Sequence, residues 1–300
     1  MLRVIVLGVA AGGGVPQWNC NCAICREARR DPAMQSGQAS LALSADGRHW
    51  FLVNASPDLR AQVIATPELH PDPAQLRHTP IAGVILTNGE VDAVAGLLSM
   101  REGSPFGLWG APKVLDTLVA NPIFGVLPPE RVPRRALDLG QPLDLPLPDG
   151  SPSGLSVEAF EVPGKVALYL EGASEEGGDT VGLTFRAAGR TVHVVTACAR
   201  VTPELSERLR GADTVFFDGT LWTDDEMIRE GLSQKTGQRM GHLSMSGADG
   251  SMAALEPLGI RHKVFVHVNN SNPVLRPGSP ERRAAEARGW IIPQAGSTFA

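Results

Sequence analysis

Residues 87–97 read Thr-Asn-Gly-Glu-Val-Asp-Ala-Val-Ala-Gly-Leu and follow directly on the apolar run Ile81 to Leu86. The run predicts a buried strand, and the acidic loop after it opens an apolar helix. In an α/β fold, loops at the carboxyl ends of buried strands line the ligand crevice. A helix amino end there favours anions or metal-bound oxygens. Asp92 stands at that helix start. Taken alone it reads as a capping carboxylate worth about 1 kcal/mol, and only the motifs elsewhere in the chain give it a second reading as a ligand.

Working outward, apolar runs of β-type composition recur at 2–8, 38–43, 49–54, 81–86, 154–162, 180–186, 190–196, 213–218 and 263–268. Ala45-Asp46-Gly47 and Ala188-Gly189-Arg190 separate paired runs and predict hairpins. Helical patterns fall at 92–102, 112–119, 203–210, 224–231 and 281–288, and Thr202-Pro203 is a good helix start. The densest proline stretch, 122–152, predicts a seam between two halves of one domain. On each side hairpins come first and strand–helix units follow, which predicts two similar halves packed sheet to sheet with helices outside.

Three hundred residues, 43% hydrophobic with 33 Gly and 24 Pro, describe an ordinary globular chain. The net charge of −5 and the absence of Lys/Arg runs beyond Arg29-Arg30, Arg134-Arg135 and Arg282-Arg283 argue against a nucleic-acid partner. No stretch approaches the roughly 18 apolar residues a membrane span needs. The opening Met-Leu-Arg-Val-Ile-Val-Leu-Gly reads as a strand and its turn rather than a signal peptide. It leads into a cysteine motif that export would tend to oxidise, so the cytoplasm is expected.

That motif is Cys20-Asn21-Cys22-Ala23-Ile24-Cys25. Three thiolates so close favour a soft tetrahedral metal, Zn²⁺ first, with a fourth ligand from elsewhere; small buried residues or a redox pair are the alternatives. The thiolate-rich set argues for a structural ion, because a closed four-ligand site leaves no place for substrate. Cys198, after the run 190–196, reads equally well as a small core residue. His267 follows the buried-looking run Lys263 to Val266 and begins a polar loop, Asn269-Asn270-Ser271-Asn272-Pro273. Alone it reads as a core histidine; with Asp92 it makes a carboxylate–imidazole metal site plausible. Asn54-Ala55-Ser56-Pro57-Asp58, Phe217-Asp218-Gly219-Thr220 and Met240-Gly241-His242 are further polar segments at element ends.

Together these residues resemble the metallo-β-lactamase superfamily, and within it the pyrroloquinoline quinone (PQQ) biosynthesis protein B family. The similarity is carried by 8–22, 54–60, 86–92, 162–166, 198–202, 217–220, 240–242 and 266–273, nearly the whole chain. It implies a four-layer αββα sandwich. The superfamily metal motif T-H-x-H-x-D-H aligns with Thr87 to Ala93, so its first two histidines fall on Asn88 and Glu90. The family retains only the second metal position, whose ligands map to Asp92, Ala93 and His267. Two imidazoles and a carboxylate form the facial triad of non-haem Fe(II) oxygenases.

The resemblance therefore implies Fe(II)- and O₂-dependent hydroxylation of the tyrosine ring in a Glu–Tyr-derived precursor. Asp218 and His242 are implied as catalytic residues, and Ser56, Asp58, Asn88 and Lys165 as substrate-binding. The zinc cluster is similar to that of phosphonate-pathway phosphodiesterases, which places the fourth ligand position on Asn270. Alanine at 93 offers no donor. Three explanations are open: another ligand is recruited, the chain is an inactive or differently employed relative, or a histidine has been replaced. The alternative function is a carrier that transports PQQ or its precursor, and a homodimer is a possible assembly.

Overall fold

The computed structural model describes residues 1–164 and 180–299. Two seven-stranded mixed sheets form its centre. The first holds β1 (Arg3–Gly8), β2 (Ser40–Ser44), β3 (Trp50–Val53), β4 (Ile81–Ile85), β5 (Gly107–Gly110), β6 (Arg134–Ala136) and β14 (Thr298–Phe299). The second holds β7 (Pro142–Pro146), β8 (Pro152–Glu161), β9 (Val181–Ala187), β10 (Arg190–Val195), β11 (Thr214–Asp218), β12 (His262–Val266) and β13 (Trp290–Ile291).

The two sheets are built alike. In the first, β14-β1-β2-β3 pair antiparallel and β3-β4-β5-β6 pair parallel. In the second, β7-β8-β9-β10 pair antiparallel and β10-β11-β12-β13 parallel. Helices flank them, giving the sandwich of sheets and helices expected above. They are α1 (Ala23–Ala28), α2 (Leu59–Ala65), α3 (Val91–Val94), α4 (Pro112–Ala120), α5 (Pro203–Leu209), α6 (Glu226–Arg229), α7 (Ser251–Leu255) and α8 (Pro280–Ala287). Strands β2, β3, β4 and β11 are buried at every position. Such strands read as continuous apolar runs rather than alternating ones because both faces are covered. One hydrophobic cluster joins the two sheets, with Phe216 of β11 packed edge-on against Phe299 of β14 at 5.3 Å. No helix among the described residues is long and apolar enough to cross a membrane.

Several expectations change in detail. The helix expected over 92–102 is one α-turn, Val91–Val94, followed by a 3₁₀ segment, Ala95–Met100. Its backbone groups are taken by the turn after β3: Ala55 N–H donates to Ala93 O, and Gly96 N–H donates to Ala55 O. A Cβ on Gly96 would lie 2.1 Å from Ser56 O, so only glycine permits this close approach. The pattern at 224–231 is helical only over Glu226–Arg229, and the run 263–268 leaves the strand after Val266. The proline-dense 122–152 contains β6 and β7, and between them the chain passes from the first sheet to the second. Both are edge strands, where a missing proline N–H costs no ladder bond.

Candidate active site and metal centre

A cavity of about 610 Å³ opens where the segments after β4, β10, β11 and β12 converge, contributing Asn88, Asp92, Ala197, Thr220 and His267 to its wall. His267 is the first residue past β12 and takes a left-handed backbone, φ 57°. Non-glycine residues seldom adopt this conformation, and functional sites are where it persists. The neighbouring Val268 holds the turn by donating to Val9 O and accepting from Ala11 N. On α3, Asp92 places Oδ2 at 3.0 Å from His267 Nε2. Burial pushes the Asp92 carboxyl up, but the bond to and charge of His267, with the charge of His242, outweigh it and hold the group below its usual range. Burial likewise pushes His267 down, and the bond to and charge of Asp92, with Asp218 and Glu90, bring it above its usual value.

His242 stacks on His267, ring centroids 5.2 Å apart and planes at 21°. Its Nδ1 lies 2.7 Å from Asp218 Oδ2. Donor atoms of Asp218, His242 and His267 all fall within 4.8 Å of one another. Asp218 is nevertheless fully buried and saturated: Oδ1 accepts from Thr220 N and Oγ1, and Oδ2 from Cys198 N and His242. A carboxylate with every lone pair engaged orients a ligand better than it serves as one.

The metal implied at this cavity fits Asp92 and His267. Two donors bound side by side to an ion at about 2.1 Å stand roughly 3.0 Å apart, which is their separation. Gly12 faces the same carboxylate, where a Cβ would come 3.5 Å from Asp92 Oδ2 and narrow the approach. Ala93 is not part of the wall; it is 2% exposed and packs in the core.

Of the residues expected to bind substrate, Asn88 lines the cavity. Its carboxamide oxygen accepts Glu90 N–H. Ser56 and Asp58 do not line it, which corrects the expectation for both. Ser56 is wholly buried and donates to Gln62 Oε1. Asp58 spends its carboxylate on Gln38, accepting from its N and Nε2 at 2.8 and 3.0 Å, and Gln38 in turn reaches the cavity. Lys165 lies outside the described residues. Thr220, Met227, Lys235 and Met240 were not singled out from the sequence yet stand in the wall. Thr220 ends the Phe-Asp-Gly-Thr segment and Met240 opens Met240-Gly241-His242, so both were within reach of sequence reasoning. Met227 lies on α6 inside the pattern at 224–231, which does not say which face meets a cavity, and Lys235 sits in irregular chain.

The cysteines form a second centre. Cys22 caps α1, its sulfur accepting from Cys25 N, and the three sulfurs lie within 4.8 Å of one another. The Asn270 carboxamide sits over them, Nδ2 at 3.1, 3.7 and 3.3 Å from Cys20, Cys22 and Cys25. Tetrahedral zinc holds sulfur and oxygen donors roughly 3.5 Å apart, so the carboxamide stands at about the right range from all three sulfurs and would move slightly outward from Cys20 and Cys25 on binding. The amide exchanges nitrogen for oxygen by rotating about Cβ–Cγ, so this donor set fits the ion. Burial pushes the Cys22 thiol up to about 11, with Cys20 and Cys25 adding to it. Against burial, bonds from Cys22, Cys25 and Asn270 hold Cys20 below its usual value. Cys198 is a core residue: burial, then the Asp218 charge, push its thiol up to about 12.

The β-lactamase superfamily domain model matches residues 49–268. Coenzyme PQQ synthesis protein B of Rhodopseudomonas palustris strain BisB5 is 61% identical over 99% of both chains. The protein of the same name from Gluconobacter oxydans is 52% identical, over 100% of this chain and 98% of that one. The crystal structure of Zn²⁺-bound PqqB from Methylobacterium extorquens superposes with a TM-score of 0.94 at 48% identity, over 99% of each chain. With these relatives aligned from end to end, the chain belongs to the coenzyme PQQ synthesis protein B family of the β-lactamase superfamily.

Proposed function

We propose that this chain acts in PQQ biosynthesis as an Fe(II)- and O₂-dependent hydroxylase of the tyrosine ring in a Glu–Tyr-derived precursor. The observation that carries the reading is the Asp92–His267 pair, 3.0 Å apart on the wall of a cavity that also presents His242. Asp92 and His267 would hold the iron, and His242 would take the place left by Ala93, restoring two imidazoles and one carboxylate. A ferrous ion held there would activate dioxygen toward an aromatic ring, one oxygen atom entering the ring and the other leaving as water at the expense of an external two-electron reductant.

The protein's own part is positioning. Val91, Met227 and Met240 bring apolar surface to the wall for a ring, and Lys235 brings an ammonium to complement carboxylates. Asp218 keeps a proton on His242 Nδ1, so the cavity meets the other nitrogen. The superfamily's paired-metal hydrolysis is disfavoured because Asn88 and Glu90 replace the first histidines.

Anaerobic loading with Fe(II), followed by O₂, a two-electron reductant such as ascorbate and the precursor, should consume oxygen and hydroxylate the ring. Ala93 favours a second reading, a carrier for PQQ or its precursor. Tight quinone binding without turnover in iron-loaded protein, in the Ala93→His variant as well, would establish the carrier and overturn the hydroxylase.

A further inference from the structure

Thr220 Oγ1 lies within hydrogen-bonding distance of four groups: Asp218 Oδ1 at 2.6 Å, His267 Nδ1 at 2.9 Å, His267 O at 2.9 Å and His242 Nδ1 at 3.1 Å. A hydroxyl has one proton to give and two lone pairs with which to accept. Its strongest acceptor here is the buried carboxylate, and 2.6 Å is the length of a charge-assisted O–H···O⁻ bond. The proton therefore goes to Asp218. His242 Nδ1–H has a carboxylate oxygen nearer than the hydroxyl, 2.7 against 3.1 Å, and donates to Asp218 Oδ2. What remains for the hydroxyl is to accept from His267 Nδ1–H.

From this geometry we infer that Thr220 is a positioning residue for the cavity site, relaying the hold of one carboxylate, Asp218, to His267 while Asp218 grips His242 directly. Both rings then carry Nδ1–H on their inner side, and both turn Nε2 outward. For His267 that nitrogen is the one that meets Asp92. The carboxylate is itself fixed by the backbone N–H groups of Cys198 and Thr220. One buried anion at the end of β11 thus sets the orientation of both imidazoles. The inference deepens the proposed metal site and rests on it for its functional meaning, but the hydrogen-bond chain itself needs no ion.

Thr220→Val removes the relay and keeps the shape; Thr220→Ser restores the hydroxyl. Two readouts separate the relay from the metal site. In protein holding zinc at the cysteines and no added cavity metal, ¹⁵N-edited spectra of histidine should show His267 Nδ1–H protected from exchange, lost in Thr220→Val and regained in Thr220→Ser, with His242 Nδ1–H kept in all three. In protein already holding one zinc, titration with Co(II) should show the cavity site weakened about 10–100-fold by valine and within about threefold of wild type with serine. Should valine not fold, the serine variant and Asp218→Asn carry the test, the latter being expected to release both ring protons. An unchanged His267 Nδ1–H in Thr220→Val, or its loss in folded Thr220→Ser, would overturn the relay. If the proton pattern holds but Co(II) never binds, the relay stands and the proposed metal site falls.

Discussion

The thiolate cluster and the cavity cluster lie on one short segment of chain, since His267 belongs to one and Asn270 to the other, yet they are built on opposite plans. Around the thiolates, three sulfurs and a carboxamide converge on one point, four donors for one ion. In the cavity, Asp92 and His267 meet on one wall and the other side stays open to a space of about 610 Å³. The first arrangement suits a structural ion and the second an ion that must admit reactants. The link between them is local. Asn269 N–H donates to Thr220 O, and Ser271 donates to Glu226, whose neighbour Met227 lines the cavity.

The comparison breaks most visibly at the thiolates. Cys25→Ser should abolish zinc retention and lower stability by about 3 kcal/mol or more. For a chain of this size that is roughly 6–12 °C in melting temperature, readable by calorimetry. Because Asn270 then loses its anchor, the cavity site should weaken as well. Chelating the zinc from wild type should reproduce both effects.

Acid provides a contrast independent of either cluster. His193 is buried on β10 against Thr184, and burial, then Arg208 and Arg186, lower its pKa from 6.5 to about 4. The unfolded chain binds that proton more readily. Stability is therefore full above about pH 6.5 and declines as pH falls toward 4, by on the order of 3 kcal/mol. His193→Gln should flatten this part of a stability–pH curve, whether or not zinc is bound. A curve equally steep in the variant would assign the acid sensitivity elsewhere.

Asp92→Asn separates the two clusters from the other side. Zinc at the cysteines should remain, while divalent metal at the cavity loses about 100-fold in affinity, measured by competition with a chromophoric chelator. The smallest effect concerns Cys198, whose buried thiol should resist alkylation in folded protein. Cys20, Cys22 and Cys25 become reactive once zinc is chelated, and mass spectrometry separates the tryptic peptide 4–26 that carries all three from the peptide 191–200 that carries Cys198.

The sequence made the sheets legible wherever burial on both faces produced continuous apolar runs, as at β2, β3, β4 and β11. It concealed elements that obtain their stability from neighbours. β13 and β14 are two residues each, and β6 and β7 hide among prolines that only an edge tolerates. α1 follows a cap made by a cysteine sulfur, which no propensity scale rewards. Within the candidate site, Asp92 and His267 were legible because they stand next to apolar strands and in recognisable motifs. Ser56 and Asp58 belonged to an equally recognisable motif, but a motif does not say which side of a turn faces a cavity. Thr220 acquires its role from Asp218, His242 and His267 together, and that meeting exists only after folding.

Metal analysis by element tests the contrast between a closed and an open centre most directly. Wild type and Ala93→His would be supplied anaerobically with both Zn(II) and Fe(II) and then freed of unbound ions. The expected result is one zinc per chain in both proteins and one iron per chain in wild type, held by Asp92, His267 and His242, with no gain from an imidazole at 93, a core position outside the cavity wall. Zinc lost from Cys25→Ser but not from Asp92→Asn would assign it to the thiolates. Iron absent from both wild type and Ala93→His, or zinc that departs with Asp92 rather than with Cys25, would contradict the account.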